Sequence, residues 1–194
     1  MPKVGMEAIR KRALVEAAIA AIHSIGSLNV TISDIAKRAG VSQGLAHHYF
    51  GSKQDLLVAV IRHLLTTFGI EASNRLKSAT TPRGRVSAII GASLGDEQFT
   101  PETVAVWLAF YVHAQASPDV QHLLTVYARR LNSNLVHALR PLAGTEAGRI
   151  ATGIASLIDG LYIRQALGTS SVHSVDGTML VERYTDLEIA AVGR

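Results

Sequence analysis

Apolar residues recur along most of this chain at helical spacing. Leu14, Ala17, Ala18, Ala21, Ile22 and Ile25 fall at i, i+3, i+4 and i+7, which predicts an amphipathic helix ending near Gly26. A shorter stripe, Ile32, Ile35, Ala36 and Ala39, predicts a second helix that Thr31 can cap and Gly40 can end, since glycine tolerates the left-handed backbone found just past a helix. Val41 then anchors the turn. Ser42 caps a third helix, with Ala46 and Phe50 facing inward. Ser52 caps a fourth, carrying Leu56, Leu57, Val60, Ile61, Leu64 and Leu65 and reaching about Leu76. Pro82, Pro101 and Pro118 each stand near the start of a further periodic stretch, where proline is tolerated, so helices are expected near 82–93, 101–116 and 118–140. After Pro141 and Gly144, helices near 146–167 and 177–191 flank the polar run GTSSVHSVDG. No pair of strand signals, internal repeat or low-complexity tract interrupts the pattern. The expected fold is all-α: an N-terminal three-helix head over 1–51, then a helical ligand-binding and dimerisation domain over 52–194, with the helix at 52–76 as connector.

Residues 31–50, TISDIAKRAGVSQGLAHHYF, have the form of a helix-turn-helix for duplex DNA. The outward positions of its second helix include Gln43, Gly44, Leu45, His47, His48 and Tyr49, small and polar near the start, as entry into a major groove requires. Gln43, Leu45 and His47 are expected to reach base edges, and Thr31, Ser42, His48, Tyr49 and Lys53 to contact phosphates. Charge agrees with this. The first 65 residues hold eight Lys and Arg against four Asp and Glu, which accounts for the whole net charge of +4 on the 194-residue chain. A basic cluster alone is usually a solvated face; one that coincides with the motif is the footprint of phosphate binding.

The segment at 146–167 is apolar on more than one side. Ile150, Ile154, Leu157, Ile158 and Leu161 make one stripe, and Ala151, Ala155, Ile163, Ala166 and Leu167 lie elsewhere. Gly153 and Gly160, two turns apart, allow another helix to come close. A subunit interface and an internal core helix both account for this. Aromatic residues are scarce at 5%, yet Trp107, Phe110 and Tyr111 share one helix face, with Phe99 just before it and Tyr127 and Tyr162 on other helices. Such a cluster can hold a quaternary ammonium over its ring faces, with Asp159 as counter-charge. Core packing accounts for the stripe equally, and an interface hydrogen bond accounts for Asp159.

Other chemistry finds little support. His47 and His48 are adjacent and project about 100° apart on a helix, so they cannot share a metal as an i, i+4 pair would. HExxH, a phosphate-cradling glycine loop and a nucleophile elbow are all missing from the sequence, so neither catalytic residues, a metal nor a cofactor is expected. With no cysteine, disulfides and thiolate sites are excluded. The opening MPKVGMEAIRKR lacks the apolar core of a signal peptide, and no later segment is expected to span a bilayer, which predicts a cytoplasmic protein with no membrane partner.

The run A-x-x-A-G-V-S-x-G, followed by H-Y-F and S-K-x-x-L-L, resembles the TetR family of one-component transcriptional regulators over residues 8–60. MPKVGMEAIRKR, VWLAFYV, ARRLNSNL and ASLIDGLYIRQAL extend the likeness nearly end to end to the choline-responsive repressors of glycine betaine synthesis within that family. The resemblance implies a homodimer on a palindromic operator, repression of choline uptake and oxidation genes, and relief by choline. It also implies a four-helix interface from the last two helices of each subunit, to which Ile154, Leu157, Ile158, Leu161 and Tyr184, with Leu180 and Leu187, are assigned. A regulator of an efflux pump, responding to bulkier lipophilic cations, fits the same motifs. Ala46 and His47 depart from the residues usual at their positions, and the match weakens from 168 onward.

Overall fold

The computed structural model describes residues 4–96, 98–168 and 174–193. All regular structure among them is helical: α1 (Val4–Ile25), α2 (Ile32–Arg38), α3 (Gln43–Phe50), α4 (Lys53–Ser78), α5 (Pro82–Leu94), α6 (Pro101–His113), α7 (Pro118–Ala143), a 3-10 turn (Gly144–Glu146), α8 (Ala147–Ala166) and α9 (Ser174–Val192). The chain forms two compact units. The first runs to Leu65 and takes in Ala105–Leu123; the second comprises Thr66–Val104 and the chain from Leu124 onward.

In the first unit α1 packs on α2 and α2 on α3. Leu14, Ala18, Ala21 and Ile22 of α1 are buried, as are Ile32, Ile35 and Ala36 of α2, Ala46 of α3 and Leu56, Val60 and Ile61 of α4. Ile25 departs from the stripe. It is 49% exposed, because the chain leaves the helix through Gly26 directly after it. The start of α4 is tied to the turn before α7 by a hydrogen bond from Gln54 Nε2 to Ser117 Oγ at 2.9 Å.

In the second unit α5, α8 and α9 pack on one another. Val86, Ile89, Ile90, Leu135, Leu139, Ile150, Ala151, Ile154 and Val181 make the centre of its core. Helix α9 is held on its two sides by charge. Arg83 on α5 donates to Ser87 and Asp186, each at 2.7 Å, and to the Glu182 carboxylate. On the other side Arg149 bridges Glu146 at 2.7 Å and Glu188 at 2.8 Å. Tyr184 lies on α8 where Gly153 has no side chain; a Cβ there would collide with its hydroxyl.

Several boundaries differ from the periodicity. Helix α7 continues through Pro141 to Ala143, since Leu139 and Ala143 are buried and packing holds the turn that the missing proline N–H weakens. Helix α6 stops at His113, three residues early. Of the run GTSSVHSVDG, residues 169–173 lie outside the described residues, and Ser174 to Gly177 belong to α9 rather than to a loop. The expectation that no segment is long and apolar enough to cross a membrane is corrected: α4 meets that test, with a mean hydropathy of 1.4 over its best stretch. Its apolar side chains Leu56, Leu57, Val60, Ile61, Leu64 and Phe68 are buried, while Ile70 is 58% exposed.

The Gly153 seat yields a stability test. Gly153→Ala must expel the Tyr184 ring and is expected to cost about 1–3 kcal/mol in chemical denaturation, as overpacked sites do. In a Tyr184→Ala background most of that cost should vanish.

Candidate functional site

The helix-turn-helix is built from side-chain and backbone caps. The Thr31 hydroxyl accepts the Asp34 N–H at 3.1 Å and donates to the Asp34 carboxylate at 2.6 Å. At the other end of α2 the Gly40 N–H reaches the Lys37 carbonyl at 3.2 Å and the Val41 N–H reaches that of Ala36 at 3.0 Å. This double bond pattern needs a left-handed residue between, and Gly40 has φ +66°. Ser42 Oγ then accepts the Leu45 N–H at 3.2 Å to open α3. Ser52 and Asp55 exchange reciprocal bonds of 3.1 Å at the start of α4.

These caps leave Gln43, Gly44, His47 and His48 exposed, with Leu45, Tyr49 and Lys53 half-buried, while Ala46 anchors α3 in the core. Of the expected base-reading positions, Gln43 and His47, four residues apart, share one exposed side of α3, and Leu45 is half-buried on another side. Thr31 is less free than its assignment as a phosphate contact assumed, because its hydroxyl proton already goes to Asp34. Ser42 uses its oxygen as acceptor and keeps its proton for other use.

Sequence reasoning missed the support that α1 gives this surface. Lys11 Nζ stands 5.7 Å from the centroid of the Tyr49 ring and 2.8 Å from Glu7. The Lys11 hydrogen bond and charge, with a smaller contribution from His48, hold the Glu7 carboxyl below its ordinary range. His48 and Tyr49 lie 5.6 Å apart. The i, i+4 spacing of Glu7 and Lys11 is visible in the sequence, but nothing local announces that the pair meets α3.

The six ligand candidates divide between the units. Trp107 and Phe110 are 3% and 0% exposed and belong to the core of the first, with Tyr111 half-buried 6.0 Å from Trp107. In the second, Tyr127 meets Phe68 edge to face at 5.1 Å, and Tyr162 meets Phe99 likewise at 5.3 Å. Burial raises the pKa of both phenols above the ordinary tyrosine value, and the exposed Asp159 carboxylate raises them further. Asp159 is thus the acidic partner of two uncharged phenols. The Tyr162 hydroxyl shares its proton between the carbonyls of Ser93 at 2.8 Å and Gln98 at 3.2 Å, which pins the turn between α5 and α6. Phe68 went unnoticed in the sequence because its place on α4 is that of a plain core residue.

Among the expected interface residues, Ile154, Ile158 and Leu161 are at most 4% exposed in the single chain. In the single chain they pack into the core of their own subunit. Leu157 and Tyr184 are half-buried. Apolar side chains that do face outward include Ile163 on α8, Leu167 just past its end, and Val175, Met179, Leu180, Leu187 and Val192 on α9. Gly160, unlike Gly153, has nothing within 4 Å of where a Cβ would stand.

The arrangement matches known proteins at both ends. Residues 14–60 match the model of bacterial regulatory proteins of the tetR family, and residues 82–190 that of the BetI-type transcriptional repressor C-terminal domain. The chain is 53% identical over 194 residues to the HTH-type transcriptional regulator BetI of Rhizobium meliloti, covering all of this chain and 96% of that one. It is 50% identical over 191 residues to the BetI regulator of Brucella melitensis, covering 98% and 96% of the two chains. Among solved structures, a transcriptional regulator from Pseudomonas aeruginosa PAO1 superposes with a TM-score of 0.80 at 25% identity, covering 95% of this chain and 92% of that one. A transcriptional regulator from Saccharomonospora viridis in complex with choline shares the fold, with a TM-score of 0.82 at 22% identity over 91% and 95% of the chains. The chain belongs to the TetR family of bacterial regulatory proteins and is a transcriptional repressor of the BetI type.

Proposed function

We propose that this repressor acts as a homodimer on a palindromic operator, controls genes for choline uptake and glycine betaine synthesis, and is released by choline. The observation that carries the proposal is identity of about one half, over nearly the whole chain, to regulators named BetI. An operator on chromosomal DNA makes the cytoplasm its place of work, and a regulator of this kind needs no catalytic residues.

In this reading Gln43, Leu45 and His47 meet base edges. Ser42, His48, Tyr49 and Lys53 hold phosphates, with Gly44 letting the backbone close on the duplex and the α2 start at Thr31 lying against the backbone. The charge clamps on Arg83 and Arg149 favour a dimer through α8 and α9, since they fix α9 with Met179, Leu180 and Leu187 outward. An isologous pairing of such faces presents two heads to two half-sites.

The ligand reading rests on the second unit. Asp159 supplies a negative charge beside the uncharged phenols of Tyr127 and Tyr162, and Phe68 adds a further aromatic face. A trimethylammonium group suits these partners: it is attracted by ring faces and by a carboxylate and has no hydrogen to donate. Binding relieves repression only if choline prefers the conformation whose heads are misplaced for DNA, because equal affinity for both forms shifts nothing. Helix α4, continuous from Lys53 to Ser78, is the proposed lever.

Three measurements test the parts separately. Lys53→Ala is expected to weaken binding to all duplexes alike and to reduce the salt slope by about one; unchanged affinity and slope remove Lys53 from the interface. Leu180→Arg combined with Leu187→Arg should give a folded monomer in sedimentation velocity at micromolar concentration, where the native protein sediments as a dimer. Native sedimentation as a monomer rejects the dimer. In calorimetric titration choline should bind the native protein, and Asp159→Asn should weaken it by roughly tenfold, the scale of one ionic or ring contact of about 1–2 kcal/mol. An absence of binding at millimolar choline discards this ligand and leaves the DNA reading intact.

A further inference from the structure

One side chain on the outer side of α3 has its hydrogen-bonding sense set by the fold. His47 Nδ1 lies 3.2 Å from the carbonyl oxygen of Gly51. A carbonyl can only accept, so the proton of the neutral ring sits on Nδ1. Gly51 is itself held, since its N–H donates to the His47 carbonyl at 2.7 Å. Ring and turn therefore fix each other. The remaining ring nitrogen, Nε2, is left as an acceptor on an exposed residue.

That sense restricts what the ring can meet on DNA. Phosphate oxygens only accept, and so do guanine N7 and O6 and thymine O4. The base-edge donors in the major groove are the amino groups of adenine N6 and cytosine N4. We infer that His47 determines operator specificity by accepting a hydrogen bond at Nε2 from the amino group of an adenine or a cytosine, with its tautomer held by the Gly51 carbonyl. This rests on the proposed reading of α3 as the helix that meets base edges. Gln43, one turn earlier on the same side, carries both a donor and an acceptor and is not restricted in this way.

Two experiments on the full-length protein decide the matter. Imidazole 15N shifts, with His47 assigned by comparison with His47→Ala, are expected to show a protonated Nδ1 and a bare Nε2 in the protein without DNA. A protonated Nε2 overturns the inference. Separately, duplexes enriched by the native protein from a random-sequence pool are remade with purine in place of each adenine and pyrimidin-2-one in place of each cytosine, which deletes one amino group at a time. At one position per half-site the deletion should weaken the native protein about 5- to 150-fold, the range of a good base contact, and leave His47→Ala unaffected. If every deletion affects the two proteins alike, the inference fails although the protein binds DNA. If no duplex is enriched, the DNA-binding reading itself falls and takes the inference with it, whereas the tautomer is still judged by the shifts.

Discussion

An eight-residue helix makes too few internal hydrogen bonds to persist in water by itself, and α3 is such a helix. Everything that the head presents to DNA depends on holding it. The hold comes from the ends inward: the carbonyls of α2 are satisfied through Gly40 and Val41, Ser42 opens α3 immediately afterwards, and the Ser52 and Asp55 exchange fixes where α4 begins. Ala46 supplies the inward contact, and Lys11 of α1 steadies the Tyr49 ring from outside. Each bond is modest, on the order of 1 kcal/mol net. Their effect is to leave α3 one position, with structural contacts among its outer side chains at His47, which bonds Gly51, and at His48 and Tyr49, which meet each other and Lys11.

The second unit is organised differently. There the constraint is long-range, and charge rather than capping orients the surface. Glu182 and Asp186 lie one turn apart on α9 and grip Arg83, while Glu188 grips Arg149 from the other side. A helix fixed along two edges cannot roll to bury Leu180 and Leu187, so these remain outside. Arg83 holds two acidic partners at once, whereas a single exposed pair is commonly worth less than about 1 kcal/mol.

What the sequence disclosed follows the same division. Caps, the Gly40 turn and the inward Ile32, Ile35, Ala36 and Ala46 were legible because each depends on residues within a few positions. The all-helical architecture was legible from periodicity for the same reason. Interface and ligand assignments drew on residues far apart in the chain, and there local spacing says less. Ile154, Ile158 and Leu161 form a correct apolar stripe, but a stripe does not say whether its partner is the same chain or another. Trp107 and Phe110 share a face with Tyr111, yet only Tyr111 retains exposed surface. Phe68 and Lys11 carried no local signal, since their partners Tyr127 and Tyr49 lie 59 and 38 positions away.

The caps of the helix-turn-helix fall on Thr31, Asp34, Gly40, Ser42, Ser52 and Asp55, and the exposed side chains of α3 fall almost entirely elsewhere. Scaffold and address are thus written in separate letters. On the proposed reading of α3, a lineage that duplicates such a gene can exchange Gln43 or Leu45 and so search for a new regulatory target while the head goes on folding as before. His47 belongs to both alphabets, tied to the Gly51 turn and facing outward at once. Change there alters the address and the punctuation together, so a new base preference at that position must come with a new way of holding the turn at Gly51.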